Sequence, residues 1–176
     1  MDDIAILTEQ ICSGSNDHRI FDIDQKIWIA ALEDIIKNSY HQISDKETLH
    51  LFWTVNGGHI RNKIRNDSLL LQFLKLSLPK YNGDASILFR GECRFLYEDG
   101  KIGFCWTPDI EVAKKFARGL NSIESGGILL KAYAPKSAIL SAPNPHSTNQ
   151  IRENEYTCDP TLLEKIEYLC SFPKTD

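Results

Sequence analysis

The sequence has no apolar run long enough to span a bilayer, and its beginning, MDDIAILTEQIC, is acidic where a secretory leader is basic. A membrane-spanning chain and a chain with a cleaved leader are therefore not expected. There is no CxxC spacing, and the five cysteines, Cys12, Cys93, Cys105, Cys158 and Cys170, are odd in number. Both facts argue against a disulfide framework and a structural zinc site, and they favour a reducing compartment such as the cytoplasm. Positive charge is not in excess either. The formal net charge is −4, so bulk attraction to nucleic acid or to an anionic membrane is not expected. No repeat and no low-complexity segment breaks the chain.

What is present suits an ordinary globular protein. The 176 residues are 42% hydrophobic and 25% charged, enough for one domain with a sizeable core. The character changes near Pro79. Before it the periodicity is helical. DQKIWIAALEDIIKNSY places Ile27, Trp28, Ala31, Leu32, Ile35 and Ile36 on one stripe, with Asp24 as its N-cap. DSLLLQFLKLSL reads as a second helix stopped by Pro79. Between them, HLFWTVNGGHIRNKIRN reads as broken at Asn-Gly-Gly and followed by a short basic helix. Its cluster of His59, Arg61, Lys63 and Arg65 is either a solvated face or a place for phosphates.

After Pro79 the chain turns to short β-forming segments bounded by turn residues: SILFR, IGFCWT, GILLKAYA, SAILSA and NEYTC. One helix interrupts them, TPDIEVAKKFARGL, with Thr107 as N-cap, Pro108 at the first helical position and a buried stripe of Ile110, Ala113, Phe116 and Ala117. The expected architecture is one α+β domain over residues 1–176, with a helical front half over 1–80 and a β-rich core over 85–170.

Three features of the second half carry chemistry. Arg90 ends an apolar strand and is followed at once by Gly91; either an anion docks there or the strand ends in solvent. Glu92 beside it reads as either an exposed partner or a residue that helps hold Arg90, a structural role being favoured. The segment SAPNPHSTNQIR, residues 141–152, is long and rich in Pro, Asn and Ser, so neither helix nor strand is expected there. It leads to Glu153 and Glu155, which on a strand would point to one side. Two carboxylates on one side raise each other's pKa unless a cation or substrate separates them; the alternative is the polar face of an edge strand. A catalytic pair of Cys105 with His146 lacks an evident orienting third group.

In order and spacing these pieces resemble the Arg–Ser–Glu class of mono-ADP-ribosyltransferases. The Arg90 of FRGE matches that family's early-strand arginine, which holds the phosphates and ribose of NAD. CWT, Cys105 to Thr107, stands where a Ser-Thr-Ser motif organises the nicotinamide pocket. SAPNPHSTNQIR matches a turn-turn loop that recognises the target, and Glu153 and Glu155 match a Glu-x-Glu pair whose last member is catalytic. The chain is also similar to a group of bacterial proteins with YRGE, GxxWTPD, FARGLN and E-EY patterns in the same order. The resemblance covers roughly residues 85–160. It implies an ADP-ribosyltransferase-like split β-sandwich and an NAD-dependent enzyme that modifies a protein target on arginine. It implies catalytic roles for Glu155 and Glu153, and NAD contacts for Arg90, Gly91, Cys105, Trp106 and Thr107. No metal, nucleic acid or membrane is implied. The setting would be the bacterial cytoplasm, or a host cytosol reached as a toxin or effector. An NAD glycohydrolase, and an inactive interaction domain of the same fold, are the alternatives. One departure stands out: Cys105 occupies the place of the first serine, and a thiol is a weaker donor and acceptor than a hydroxyl.

Overall fold

The structure is a computed structural model that describes residues 3–15, 17–38, 43 and 45–175. Contacts divide the chain into two compact units, Met1–Pro79 and Lys80–Asp176, at the change of character in the sequence. The architecture is mixed α+β, with a helical first unit and a β-sheet second unit.

The first unit holds α1 (Asp3–Cys12), α2 (Gln25–Lys37), α3 (Lys46–Ile64) and α4 (Asp67–Ser77). Asp24 caps α2 as expected, accepting from the Lys26 N–H at 2.8 Å. Trp28, Ala31, Leu32 and Ile35 are fully buried along its stripe. Ser39 and Tyr40, read with that helix, lie outside the described residues. The expected break at Asn-Gly-Gly does not occur, for α3 runs straight through it. The reason is local satisfaction: the buried Asn56 amide donates to the Phe52 carbonyl at 3.1 Å, and Gly57 faces the Trp53 ring. Of the basic cluster, Arg61 turns away to pair with Asp67 at 2.7 Å, while His59, Lys63 and Arg65 border one open cleft with Phe21, Asp22 and Asp24, His59 packing near Phe21 with ring centroids 5.5 Å apart. No helix among the described residues is long and apolar enough to cross a membrane.

In the second unit, β1 (Ser86–Cys93), β3 (Gly127–Ala134) and β6 (Glu164–Phe172) form one antiparallel sheet in the order β1-β3-β6. A second antiparallel sheet has the order β2-β5-β4, from β2 (Cys105–Trp106), β4 (Ile139–Ser141) and β5 (Tyr156–Cys158). The sheets meet at a bridge between Phe89 and Thr107, whose N–H groups donate to each other's carbonyls at 2.7 and 2.9 Å. Trp106 lies in the core beside Leu88, Ile128, Leu130 and Ile139. Two short helices, α5 (Arg94–Glu98) and α6 (Ile110–Arg118), complete the unit with several single turns.

Three local expectations need correction. Asp109, not Thr107, caps α6, accepting from Glu111 N–H at 2.8 Å. Thr107 is bridged into the sheet, which leaves it and Pro108 before the helix. The proline-rich loop is not without structure, since His146–Gln150 forms one π-helical turn. The strand β6 has no counterpart in the sequence reading. Most of its residues are exposed, so it carries little of the apolar alternation that marks a half-buried strand.

The helix α6 lies close on the first sheet. A Cβ at Gly91 would strike the backbone of Ala113 and Ala117, and one at Gly127 would strike the Ala117 carbonyl. Gly91 is therefore needed for helix packing, where the sequence suggested close approach of a ligand. Gly127→Ala is expected to destabilise the protein by about 1–3 kcal/mol or more through overpacking. Gly58→Ala, whose Cβ meets nothing within 4 Å, should stabilise α3 by up to about 1 kcal/mol. Urea unfolding of the two variants checks both signs; a neutral Gly127→Ala would remove the packing argument.

Candidate active site

Strand periodicity sets the first half of the site. Arg90 and Glu92 are two apart on β1 and share a face. The Glu92 side chain is 1% exposed and that of Arg90 15% exposed. Glu92 Oε2 accepts from Arg90 Nε at 2.7 Å and from the Gly103 N–H at 2.8 Å, and Oε1 accepts from the Cys93 N–H at 2.9 Å. Burial alone would push the Glu92 carboxyl up, but the Arg90 guanidinium and the two N–H donors outweigh it and hold it below its usual value. Arg90 Nη1 donates to the Cys105 carbonyl at 2.7 Å. With two of its nitrogens fixed, the guanidinium lies against Gly103, where a Cβ would collide with it. No hydrogen bond engages its Nη2 among the described residues.

The second half is set by the loop. Ser147 is fully buried. Its N–H donates to Asn144 Oδ1 at 2.8 Å, its Oγ accepts from the Glu155 N–H at 2.8 Å, and its carbonyl accepts from the Glu153 N–H at 2.9 Å. Thr107 Oγ1 donates to the Glu153 carbonyl at 2.7 Å. The two glutamates do not alternate on a strand, because β5 begins only at Tyr156. Arg152 and Asn154, on either side of Glu153, have φ of 57° and 47°. A left-handed non-glycine residue costs free energy and persists only where its surroundings enforce it. Here Ser147 and Thr107 enforce it.

Burial pushes the Glu155 carboxyl up to about 7; a hydrogen bond from the Cys105 thiol and the charge of Arg90 pull the other way, and Glu153 adds to the rise. Burial also raises Glu153, against a smaller opposing effect of His146. The Cys105 thiol is pushed well above its ordinary value by burial and by Glu155. A thiol held protonated is a poor nucleophile, and His146 is engaged elsewhere, its Nδ1 lying 2.6 Å from Gln150 Oε1.

One cleft, enclosing about 400 Å³ with its open mouth included, is lined by Arg90, Gly91, Cys105, Trp106, Thr107, Glu153 and Glu155. Every residue singled out from the sequence for NAD contact or catalysis thus borders the same space. Their parts differ. Gly91 serves the packing of α6. Trp106 is 1% exposed and its indole N–H donates to the Gly103 carbonyl at 3.0 Å, so it is a wall of the core. Arg90, Cys105 and the two glutamates supply the polar atoms. Sequence reasoning missed Phe116 as a cleft residue because it sits on the stripe of α6 read as core. It also missed Asn121, whose Nδ2 donates to the Gly91 carbonyl at 2.7 Å, although it closes the FARGLN pattern. Among the described residues no group of three or more His, Cys, Asp or Glu is placed to hold a metal ion.

Comparison of the chain with family models, with curated proteins and with solved structures finds no match. The chemistry of the cleft therefore has to carry the functional argument. A fixed guanidinium with one uncommitted nitrogen can bind an anion. A partly buried carboxyl near neutrality can stabilise a developing positive charge once ionised. A second, less buried carboxylate stands beside it.

Proposed function

We propose that the second unit is an NAD-dependent mono-ADP-ribosyltransferase that modifies a protein on arginine. The observation that carries this reading is the meeting of Arg90, Cys105–Thr107, Glu153 and Glu155 in one cleft, from segments far apart in the chain. In this reading the two three-stranded sheets, bridged at Phe89 and Thr107, are the halves of an ADP-ribosyltransferase-like split β-sandwich. The space open to a ligand inside the cleft is about 80 Å³, small beside the usual small-molecule site of about 300–1,000 Å³, so in this reading it receives the nicotinamide end of NAD and not the whole dinucleotide.

Cleaving the bond between nicotinamide and ribose develops positive charge on the ribose, as glycoside cleavage does. Ionised Glu155 stabilises that charge and holds a ribose hydroxyl. The free Nη2 of Arg90 meets the phosphates. Nicotinamide leaves with the bonding electrons, a nitrogen of the acceptor arginine bonds to the ribose carbon, and Glu153 takes the proton that this nitrogen loses. With water as acceptor the same groups make an NAD glycohydrolase.

Nicotinamide release from NAD, measured with and without a cell lysate, tests the reading. Release that needs lysate, with label transferred to protein, supports the transferase; release without lysate and without transfer supports the glycohydrolase. No release and no NAD-induced rise in melting temperature would leave an inactive interaction domain. Glu153→Gln is expected to abolish transfer to protein while slow hydrolysis persists, because its work is on the acceptor. Equal loss of both activities would contradict that division. Cys105→Ser is expected to retain or raise activity, since a hydroxyl is the better partner for Glu155. Full loss in that variant would point to cysteine chemistry and sink the transferase reading.

A further inference from the structure

We propose that Ser147, held by Asn144, is the positioning residue for both carboxylates of the cleft, so that the loop and the Glu-x-Glu pair form one mechanical element. The catalytic consequence rests on the transferase reading above; the positioning itself does not. Ser147 is fully buried, and its polar backbone atoms and hydroxyl are spent on the same few residues. Its N–H goes to Asn144 Oδ1 at 2.8 Å, its Oγ takes the Glu155 N–H at 2.8 Å, and its carbonyl takes the N–H of Glu153 at 2.9 Å and of Asn154 at 3.4 Å.

A backbone held at φ 57° before Glu153 and 47° after it relaxes when its anchors are removed. The extended backbone that relaxation favours is a different path from Arg152 to Tyr156. It would carry one or both carboxylates away from the cleft. Ser147 lies on the π-helical turn His146–Gln150, whose residues Thr148, Asn149 and Gln150 are exposed. One turn of the loop thus has an outward face of polar side chains and an inward residue that fixes the carboxylates. The groups that act on Glu155 are Arg90 from β1, Cys105 from β2, Glu153 from its own segment and Cys158 from β5. Arg90, Cys105 and Cys158 stand on strands that a change at Ser147 does not touch, and Glu153 moves only with the same segment, so a shift at Glu155 reports the position of that segment.

The test uses the full chain labelled with ¹³C at the glutamate carboxyls, the Glu155 resonance being assigned by its loss in Glu155→Gln. In the wild type that carboxyl is expected to titrate at about 7. Ser147→Ala removes the Oγ that holds the Glu155 N–H and keeps the Ser147 backbone bonds to Glu153 and Asn154; the Glu155 midpoint is expected to fall by at least about one unit, because a carboxyl whose backbone is released from the loop meets water. The kcat of nicotinamide release is expected to fall about 10- to 100-fold, with the KM for NAD changed much less, as for a misplaced reacting group. Thr148→Ala, an exposed neighbour, should leave both readouts at the wild-type level. Asn144→Ala should repeat the Ser147→Ala pattern and is read in its place if Ser147→Ala fails to fold. A Glu155 midpoint unchanged within about 0.3 units in the folded variant overturns the proposal, whatever the activity does. A wild type that releases no nicotinamide defeats the transferase reading alone, and the titration then decides the positioning role by itself.

Discussion

Glu155→Gln is expected to slow nicotinamide release by about 100- to 1000-fold, the usual worth of an electrostatic contact to a developing charge, while NAD still binds. The same variant is expected to be the more stable protein above neutral pH. The folded Glu155 carboxyl sits at about 7 and its usual value is 4.5. Below the lower of these it is protonated folded and unfolded, and its contribution to stability is complete. As pH rises towards and through about 7, the unfolded chain has already ionised, and the folded chain must ionise a partly buried, poorly solvated carboxyl. Stability falls over that window by up to about 3 kcal/mol. Glutamine cannot ionise, so the variant escapes the loss. Urea unfolding of both proteins near pH 5 and near pH 8 checks this: the gap between them should widen in favour of Glu155→Gln at the higher pH. A gap that does not move with pH would mean that Glu155 is solvated and ordinary. Wild-type activity should rise with pH to a plateau above about 7, because only the ionised carboxyl stabilises positive charge.

Arg90→Ala should lose both affinity and stability. Without the guanidinium, Glu92 remains 1% exposed and faces only the two N–H donors of Cys93 and Gly103. Removing one partner of a buried pair costs about 3–5 kcal/mol. NAD binding should weaken by about 2–4 kcal/mol through loss of the charge-assisted contact to phosphate. The two effects separate in the double variant Arg90→Ala/Glu92→Gln, where the uncompensated carboxylate is gone. Its melting temperature should recover in part, and its NAD affinity should not. Recovery of NAD binding in the double variant would show that Arg90 serves the fold alone.

The sequence reached different depths in different elements. Helix α2 with its Asp24 cap, helix α4 ended before Pro79 and strand β3 were legible because each is decided by neighbours within a turn or by a local apolar pattern. Helix α3 was misread at Asn-Gly-Gly because the ring of Trp53 and the Phe52 carbonyl, which make those residues tolerable, come into range only once the helix exists. The cap of α6 was misplaced by two residues because Thr107 had a competing place in a β-bridge with Phe89. The strand β6 escaped notice because its order comes from pairing with β3 and little from a buried face.

The same division holds at the candidate site. The resemblance in order and spacing was enough to choose Arg90, Cys105, Glu153 and Glu155 as candidates, though each short motif alone is weak. Glu92 was noticed beside Arg90, but that both lie on β1 and share a face, which makes the pair, came only with the strand running on to Cys93. The state of these groups was not legible. A pKa near 7 for Glu155 depends on what excludes water from it, and that exclusion is made by β1, β2 and the loop together. The left-handed residues flanking Glu153 exist because Ser147 and Thr107 hold the chain there, through bonds that no local pattern encodes. By itself the sequence determined which groups the protein has to work with; tertiary packing alone decided their depth, their charge and the direction each one faces, because desolvation and long-range hydrogen bonds arise only from segments brought together by the fold.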